Sequence, residues 1–81
     1  MKLVDLKKVL YMDYLIQHRR TGTPNEFAEK LKLSRSTLFE YMAYMRKELE
    51  VCILYDRYSG TYYYEGNNLY AAIRMQTGIK N

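Results

Sequence analysis

The sequence predicts a single α+β domain in which three helices are followed by a β-hairpin. Residues up to Glu50 repeat apolar side chains every three or four positions, which is the period of a helix. Beyond Glu50, the stretches VCILYDR and TYYYE are rich in strand-forming residues and flank a Tyr-Ser-Gly turn. With 81 residues, 48% of them hydrophobic, the chain fits one domain with a globular core, which excludes disorder.

The first helix is expected over about residues 2–20. One stripe of its apolar side chains recurs at core-facing spacing: Leu3, Leu6, Leu10 and Tyr14. Two further faces are also apolar, one containing Val9, Met12 and Ile16 and the other containing Val4, Tyr11 and Leu15. A helix that is apolar nearly all round is usually covered on more than one side. We therefore expect cover from the C-terminal segment and from a second copy of the chain, which predicts a homodimer through this helix.

Two further helices are expected over about residues 24–32 and 34–49. Thr23-Pro24-Asn25-Glu26 supplies an N-cap, a proline at the first helical position and the glutamate of a capping box. Ser34 caps the third helix, whose apolar stripe consists of Leu38, Met42, Met45 and Leu49, with Tyr41 beside it. Because the connecting turn is so short, the two helices meet at a steep angle and the face of the third helix opposite its stripe projects outward.

The hairpin strands are expected over about residues 51–57 and 61–65. Cys52 lies in the first of them and is predicted to be a small buried residue. Residues 69–75, LYAAIRM, fit either a strand or a helix. A strand is favoured, since it would extend the hairpin into a three-stranded sheet.

The net charge and the motifs of the sequence narrow the classes of function that are expected for this chain. The 13 Lys and Arg against nine Asp and Glu give a net charge of +4, which permits a polyanionic partner. No segment approaches the roughly 18 apolar residues of a membrane helix, the start does not resemble a signal peptide, and a lone cysteine fits a reducing cytoplasm. Gly-rich phosphate loops, nucleophile elbows and paired histidines are absent from the sequence, so neither an enzyme nor a metal or cofactor site is expected.

The outward face of the third helix is expected to enter the DNA major groove, which is about 12 Å wide. Arg35 and Ser36 lie in the first turn and would reach deepest, and an arginine can bond two acceptors of one guanine. The residues expected at base edges are Arg35, Ser36, Phe39 and Glu40. Phosphate contacts are expected from Ser34, Thr37, Tyr44 and Lys47, with backbone N–H groups of the first turn contributing.

The stretch TPNEFAEKLKLSRSTLFEYMAYM resembles the winged helix-turn-helix domain of small bacterial transcriptional regulators. The matching features are Phe27-Ala28, Leu33-Ser34 at the turn, Ser34-x-x-Thr37-Leu38 and Met45. ILYDRYSGTYYYE resembles the wing that follows, so the resemblance covers residues 1–66. It implies a winged fold, binding of double-stranded DNA and transcription regulation. It also implies a phosphate contact from Arg57 in the wing.

Two positions depart from the family pattern. Lys32 stands where the family often has glycine, and a left-handed backbone there would cost roughly 1 kcal/mol. Glu40 stands at an often basic position, where a carboxylate either accepts a bond from a cytosine amino group or repels phosphate. The alternative is therefore a winged-helix protein-interaction module without DNA binding, with Glu40, Phe39 and Tyr44 on the partner surface. In either case we expect no small-molecule effector domain in a chain of this length.

Overall fold

A computed structural model describes residues 4–66 and Tyr70. Residues 4–66 form, in order, α1 (Leu6–Gln17), α2 (Pro24–Leu31), α3 (Arg35–Glu48), β1 (Ile53–Asp56) and β2 (Thr61–Tyr64). The two strands pair antiparallel, with Ile53 opposite Tyr64 and Asp56 opposite Thr61. The predicted α+β class is confirmed, and this is the element order of a winged helix. The third strand predicted over 69–75 lies outside the described residues, except for Tyr70, whose backbone is helical.

Each helix ends near a non-glycine residue in the left-handed conformation. These residues are Arg19 after α1, Lys32 at the end of α2 and Glu50 after α3, with φ values of 54°, 58° and 57°. Because a residue in the left-handed conformation does not continue an α-helix, α1 ends before Arg19 and not at the predicted residue 20. At its other end, α1 begins only after Asp5, whose carboxylate accepts a hydrogen bond from the Lys7 N–H at 3.0 Å. Lys32 does adopt the left-handed conformation whose cost, considered for this position from the sequence, is roughly 1 kcal/mol.

The start of α2 has the predicted capping box. The Thr23 hydroxyl accepts from the Glu26 N–H at 3.4 Å, and the Glu26 carboxylate accepts from the Thr23 N–H at 2.8 Å. The bonds with Thr23, and then the charge of Lys30, hold the pKa of Glu26 below its usual value. Thr23 therefore fixes the start of α2 and keeps a carboxylate at the positive end of the helix.

The core lies between the three helices and one side of the hairpin. The predicted stripe of α3 is confirmed, because Leu38, Met42 and Met45 are buried and Leu49 is partly buried. From α2, the fully buried Phe27 places its ring centroid 5.6 Å from that of Tyr62 in β2. Helix α2 is thereby packed directly against the hairpin.

The buried face of α1 differs from the predicted one. The side chains that enter the core are Val9, Met12, Leu15 and Ile16. Leu6, Leu10 and Tyr14 are instead 66%, 54% and 53% exposed, so the predicted stripe was wrong. Three faces of α1 are apolar, and spacing alone does not say which of them the hairpin covers. Together with Tyr11, which is 44% exposed, these three residues form the exposed α1 face (Leu6, Leu10, Tyr11 and Tyr14).

A buried pair of threonines joins β2 to the loop between α1 and α2. Thr21 and Thr61 are buried, and their Oγ1 atoms lie 3.0 Å apart. The Tyr62 N–H donates to Thr21 Oγ1 at 2.8 Å, and the Thr21 N–H donates to Thr61 Oγ1 at 3.2 Å. Unpaired polar atoms are costly to bury, so these bonds hold the hairpin in one position against the helices.

Two hydrogen bonds with tyrosine hydroxyls also hold α1 in place, one at its N-cap and one within the helix. The Tyr64 hydroxyl donates to Asp13 Oδ1 at 2.7 Å, and the Asp5 N–H donates to the Tyr41 hydroxyl of α3 at 3.0 Å. Burial, and then the Asp13 carboxylate, raise the pKa of Tyr64 far above its usual value. The Tyr64 hydroxyl therefore stays protonated in alkaline solution in which an ordinary tyrosine ionises, and it remains a donor to Asp13.

Cys52 is exposed, which corrects the prediction that it would be buried. Val51 and Ile53 are buried on either side of it, and successive side chains of an extended chain point to opposite faces. The apolar run VCIL therefore alternates between core and solvent. In the part of the chain that the structure describes, no helix is long and apolar enough to cross a membrane.

Candidate nucleic-acid interface

The direction of α3 is set by the turn that follows α2. Lys32 leaves the helix in the left-handed conformation, and its N–H donates to the Glu29 carbonyl at 3.1 Å. The Leu33 N–H donates to the Ala28 carbonyl at 2.9 Å, while the Leu33 side chain packs against the core. The chain therefore changes direction within three residues, and α3 begins with its N-terminus at the surface.

The first turn of α3 is polar and open to solvent. Ser34 Oγ accepts from the Thr37 N–H at 3.2 Å and donates to Thr37 Oγ1 at 3.0 Å. The Ser36 hydroxyl lies 3.3 Å from Ser34 Oγ, and both serines are exposed. The first N–H groups of a helix have no partner within it, and its positive end favours anions. This turn is therefore suited to a phosphate group.

All four residues predicted at base edges lie on the exposed side of α3: Arg35, Ser36, Phe39 and Glu40. The Arg35 guanidinium carbon is 5.5 Å from the centroid of the Phe39 ring, which is 40% exposed. This is within the range of a cation–π contact. The ring supports the arginine at the start of the helix, where its N–H groups face solvent.

The C-terminal half of the same face has a different character. An open concavity of about 390 Å³ is lined by Glu40, Ala43, Tyr44, Lys47 and Glu48. Lys47 is exposed, and Tyr44 is half-buried against the core. Two carboxylates next to one ammonium group make this half less favourable for phosphate than the first turn.

The wing presents Arg57 and Tyr58 at its tip. Asp56 shapes the turn by accepting from the Ser59 hydroxyl at 2.8 Å and from the Tyr58 N–H at 2.9 Å. These bonds hold the pKa of the Asp56 carboxyl below its usual value, and the charge of Arg19 adds to them. Arg57 is exposed and Tyr58 is fully exposed, so the predicted phosphate contact is accessible and lies beside an aromatic ring.

Sequence reasoning missed four lysines that the fold brings together. The lysine cluster (Lys7, Lys8, Lys30 and Lys32) lines an open concavity of about 290 Å³ between the start of α1 and the end of α2. The only signals in the sequence were the Lys7-Lys8 doublet and the two lysines on either side of Leu31. No spacing rule joins these two pairs, because they belong to different helices.

Comparisons with known proteins assign no function to this surface. No protein-family model, curated protein sequence or solved structure matches the chain. Across residues 4–66 and Tyr70, no group of three or more His, Cys, Asp and Glu side chains is placed to hold a metal ion. The features that bear on function are therefore the geometry of α3, the wing and the surrounding charges.

Proposed function

We propose that this protein is a sequence-specific double-stranded DNA-binding domain of the winged helix-turn-helix type, acting as a small cytoplasmic transcriptional regulator. One observation carries the proposal: the abrupt α2–α3 turn leaves the first turn of α3 polar and solvent-exposed. A helix presented in this way fits a major groove about 12 Å wide. The net charge of +4 supports a polyanionic partner.

Base recognition is assigned to the exposed side chains of α3. Arg35 would donate two hydrogen bonds to a guanine, and Glu40 would accept one from a cytosine amino group. Ser36 can bond either kind of base edge, while the Phe39 ring can contact a thymine methyl group. These four residues lie within the first two turns of α3, which is the part of the helix that enters the groove most deeply.

Phosphate contacts are assigned to residues around that groove-facing turn. Ser34 and Thr37 would bind phosphate through the N–H groups at the start of α3. The side chains that extend this contact are those of Tyr44, Lys47 and Arg57. Such contacts position the protein on the duplex but carry no base preference.

A second candidate function is a protein-interaction module. It is favoured by Glu40 and Glu48, which place two carboxylates along the outward face of α3. Under this alternative, Phe39 and Tyr44 would contact a protein partner. Binding to duplex DNA would then be absent at low salt.

The two functions are separated by titrating the protein into a labelled duplex of mixed sequence, with fluorescence anisotropy as the signal. For the DNA-binding function we expect a Kd on the order of 1–100 μM that weakens steeply as salt rises, because phosphate contacts release counterions. A single strand of the same sequence is the control and should bind more weakly, since it lacks a major groove. Failure to bind the duplex at low salt would favour the protein-interaction module.

The proposal includes a homodimer through the exposed α1 face. This face supports it because four large apolar side chains, 44% to 66% exposed, lie side by side on one helix. Surface patches of this kind often mark protein contacts. A two-fold dimer would present its two α3 helices to half-sites about 10 bp apart, or a multiple of that spacing.

Sedimentation velocity at tens of micromolar tests this dimer. We expect wild-type protein to sediment as a dimer and Leu10→Lys to sediment as a folded monomer, since the substitution places a charge in the contact. Leu54→Lys is the matched control, because Leu54 is also an exposed leucine but lies on β1. A strictly monomeric wild-type protein would contradict the proposal.

A further inference from the structure

The lysine cluster concentrates positive charge at one place on the surface. Among the described residues that line the concavity, the only acidic one is Asp5, and the others besides the lysines are Tyr11 and Leu31. Lys7 and Lys8 come from the first turn of α1, whereas Lys30 and Lys32 come from the end of α2. The fold therefore builds a cationic region that neither helix has alone.

Two of these lysines are held by backbone carbonyls. Lys8 Nζ donates to the Leu31 carbonyl at 3.0 Å, and Lys30 Nζ donates to the Arg20 carbonyl. Lys7 and Lys32 are exposed, and within the described residues neither ammonium group has a hydrogen-bond or ion-pair partner. The cluster thus combines two anchored charges with two that are free to meet a ligand.

The cluster adjoins the proposed DNA-reading helix. Lys32 is two residues before Ser34, the N-cap of α3, so their Cα atoms are separated by at most about 7 Å. An α3 helix inserted into the major groove would have the phosphates of a bordering strand near its N-terminus. Lys32 is then the member of the cluster closest to those phosphates.

We propose that the lysine cluster binds phosphates of the DNA strand that borders the groove occupied by α3. This inference rests on the proposed function of α3, and it extends the DNA contact to the start of α1. Lysine serves as a point-charge ligand for phosphate. Protein–protein interfaces are depleted in lysine, whereas protein–DNA interfaces are strongly positive, so the composition of the cluster favours DNA over a protein partner.

The salt dependence of duplex binding tests the cluster. The variant Lys7→Gln/Lys32→Gln removes the two free charges while leaving Lys8 and Lys30 in their hydrogen bonds. Each lost phosphate contact should reduce the slope of log K against log salt by about 0.9, or about 1.8 for the pair. When the salt concentration rises fourfold, the fold-loss of affinity should therefore be about twelve times smaller for the variant than for the wild-type protein. Preference between base sequences should be unchanged, because phosphate contacts carry none.

The matched control is Lys7→Arg/Lys32→Arg, which keeps both charges at the same positions and should retain the wild-type slope. Thermal unfolding followed by circular dichroism checks that all variants are folded. A glutamine variant with the wild-type slope would overturn the inference, because the two free lysines would then make no phosphate contact. Failure of wild-type protein to bind any duplex would overturn the proposed function as well, so the two failures are distinguishable.

Discussion

Phe27→Ala is expected to lower the free energy of unfolding by about 3–5 kcal/mol. Phe27 is completely buried, and its ring packs against that of Tyr62, so truncation leaves a cavity between α2 and the hairpin. Small domains typically have a total stability of about 5–15 kcal/mol, so the loss would remove a large share of it. The variant should also weaken DNA binding, because α2 and its turn hold α3 in position.

Urea unfolding followed by far-ultraviolet circular dichroism measures this loss. Phe39→Ala is the matched control, because Phe39 is a phenylalanine on the exposed side of α3. Its unfolding free energy should change by less than about 0.5 kcal/mol, as is usual for surface positions. Equal losses for the two variants would mean that the packing of α2 against the hairpin is not as described.

The helix starts and the core stripe of α3 could be predicted because local interactions determine them. Thr23 and Glu26 each accept a hydrogen bond from the other's backbone N–H within one turn. The Ser34 hydroxyl accepts one from the Thr37 N–H, also within one turn. The stripe of α3 was unambiguous because only one of its faces is apolar. Because the buried side of α3 could be predicted, its exposed side could be predicted too. The proposed base-reading residues could therefore be named from the sequence.

The buried face of α1 could not be predicted, because the choice among three apolar faces depends on distant residues. Tyr64 bonds to Asp13 from 51 positions away, and this contact orients α1 against β2. The burial of Cys52 was predicted wrongly because all residues of the run VCIL are apolar. Such a run does not reveal which of its alternating side chains face the core. The order of the elements was therefore predictable, while the orientation of α1 was not.

The two features of the molecule that sequence reasoning missed share one property. The lysine cluster and the Thr21–Thr61 pair both join segments that are far apart in the chain, 40 positions in the case of the threonines. Spacing rules act within one helix or one strand pair, so they cannot bring such residues together. Charge near α3 was consequently underestimated from the sequence alone.

Arg35→Ala is expected to weaken binding to the preferred DNA site by about 1–3 kcal/mol and to relax the preference at one base pair. Arg35 is the first residue of α3, is exposed and is supported by the Phe39 ring. The substitution removes the guanidinium and, with it, the two proposed hydrogen bonds to a guanine. Lys47→Ala is the comparison, because loss of a phosphate contact should weaken binding to all sequences about equally.

The most direct test of the DNA-reading role of α3 is the ratio of affinities for two duplexes. One is a duplex selected from random sequences by the wild-type protein, and the other differs from it at a single G·C pair found to be required for binding. If Arg35 reads that pair, the ratio should fall toward one in Arg35→Ala and stay at its wild-type value in Lys47→Ala. An Arg35→Ala protein that binds both duplexes as the wild-type protein does would contradict the assignment of α3 as the recognition helix.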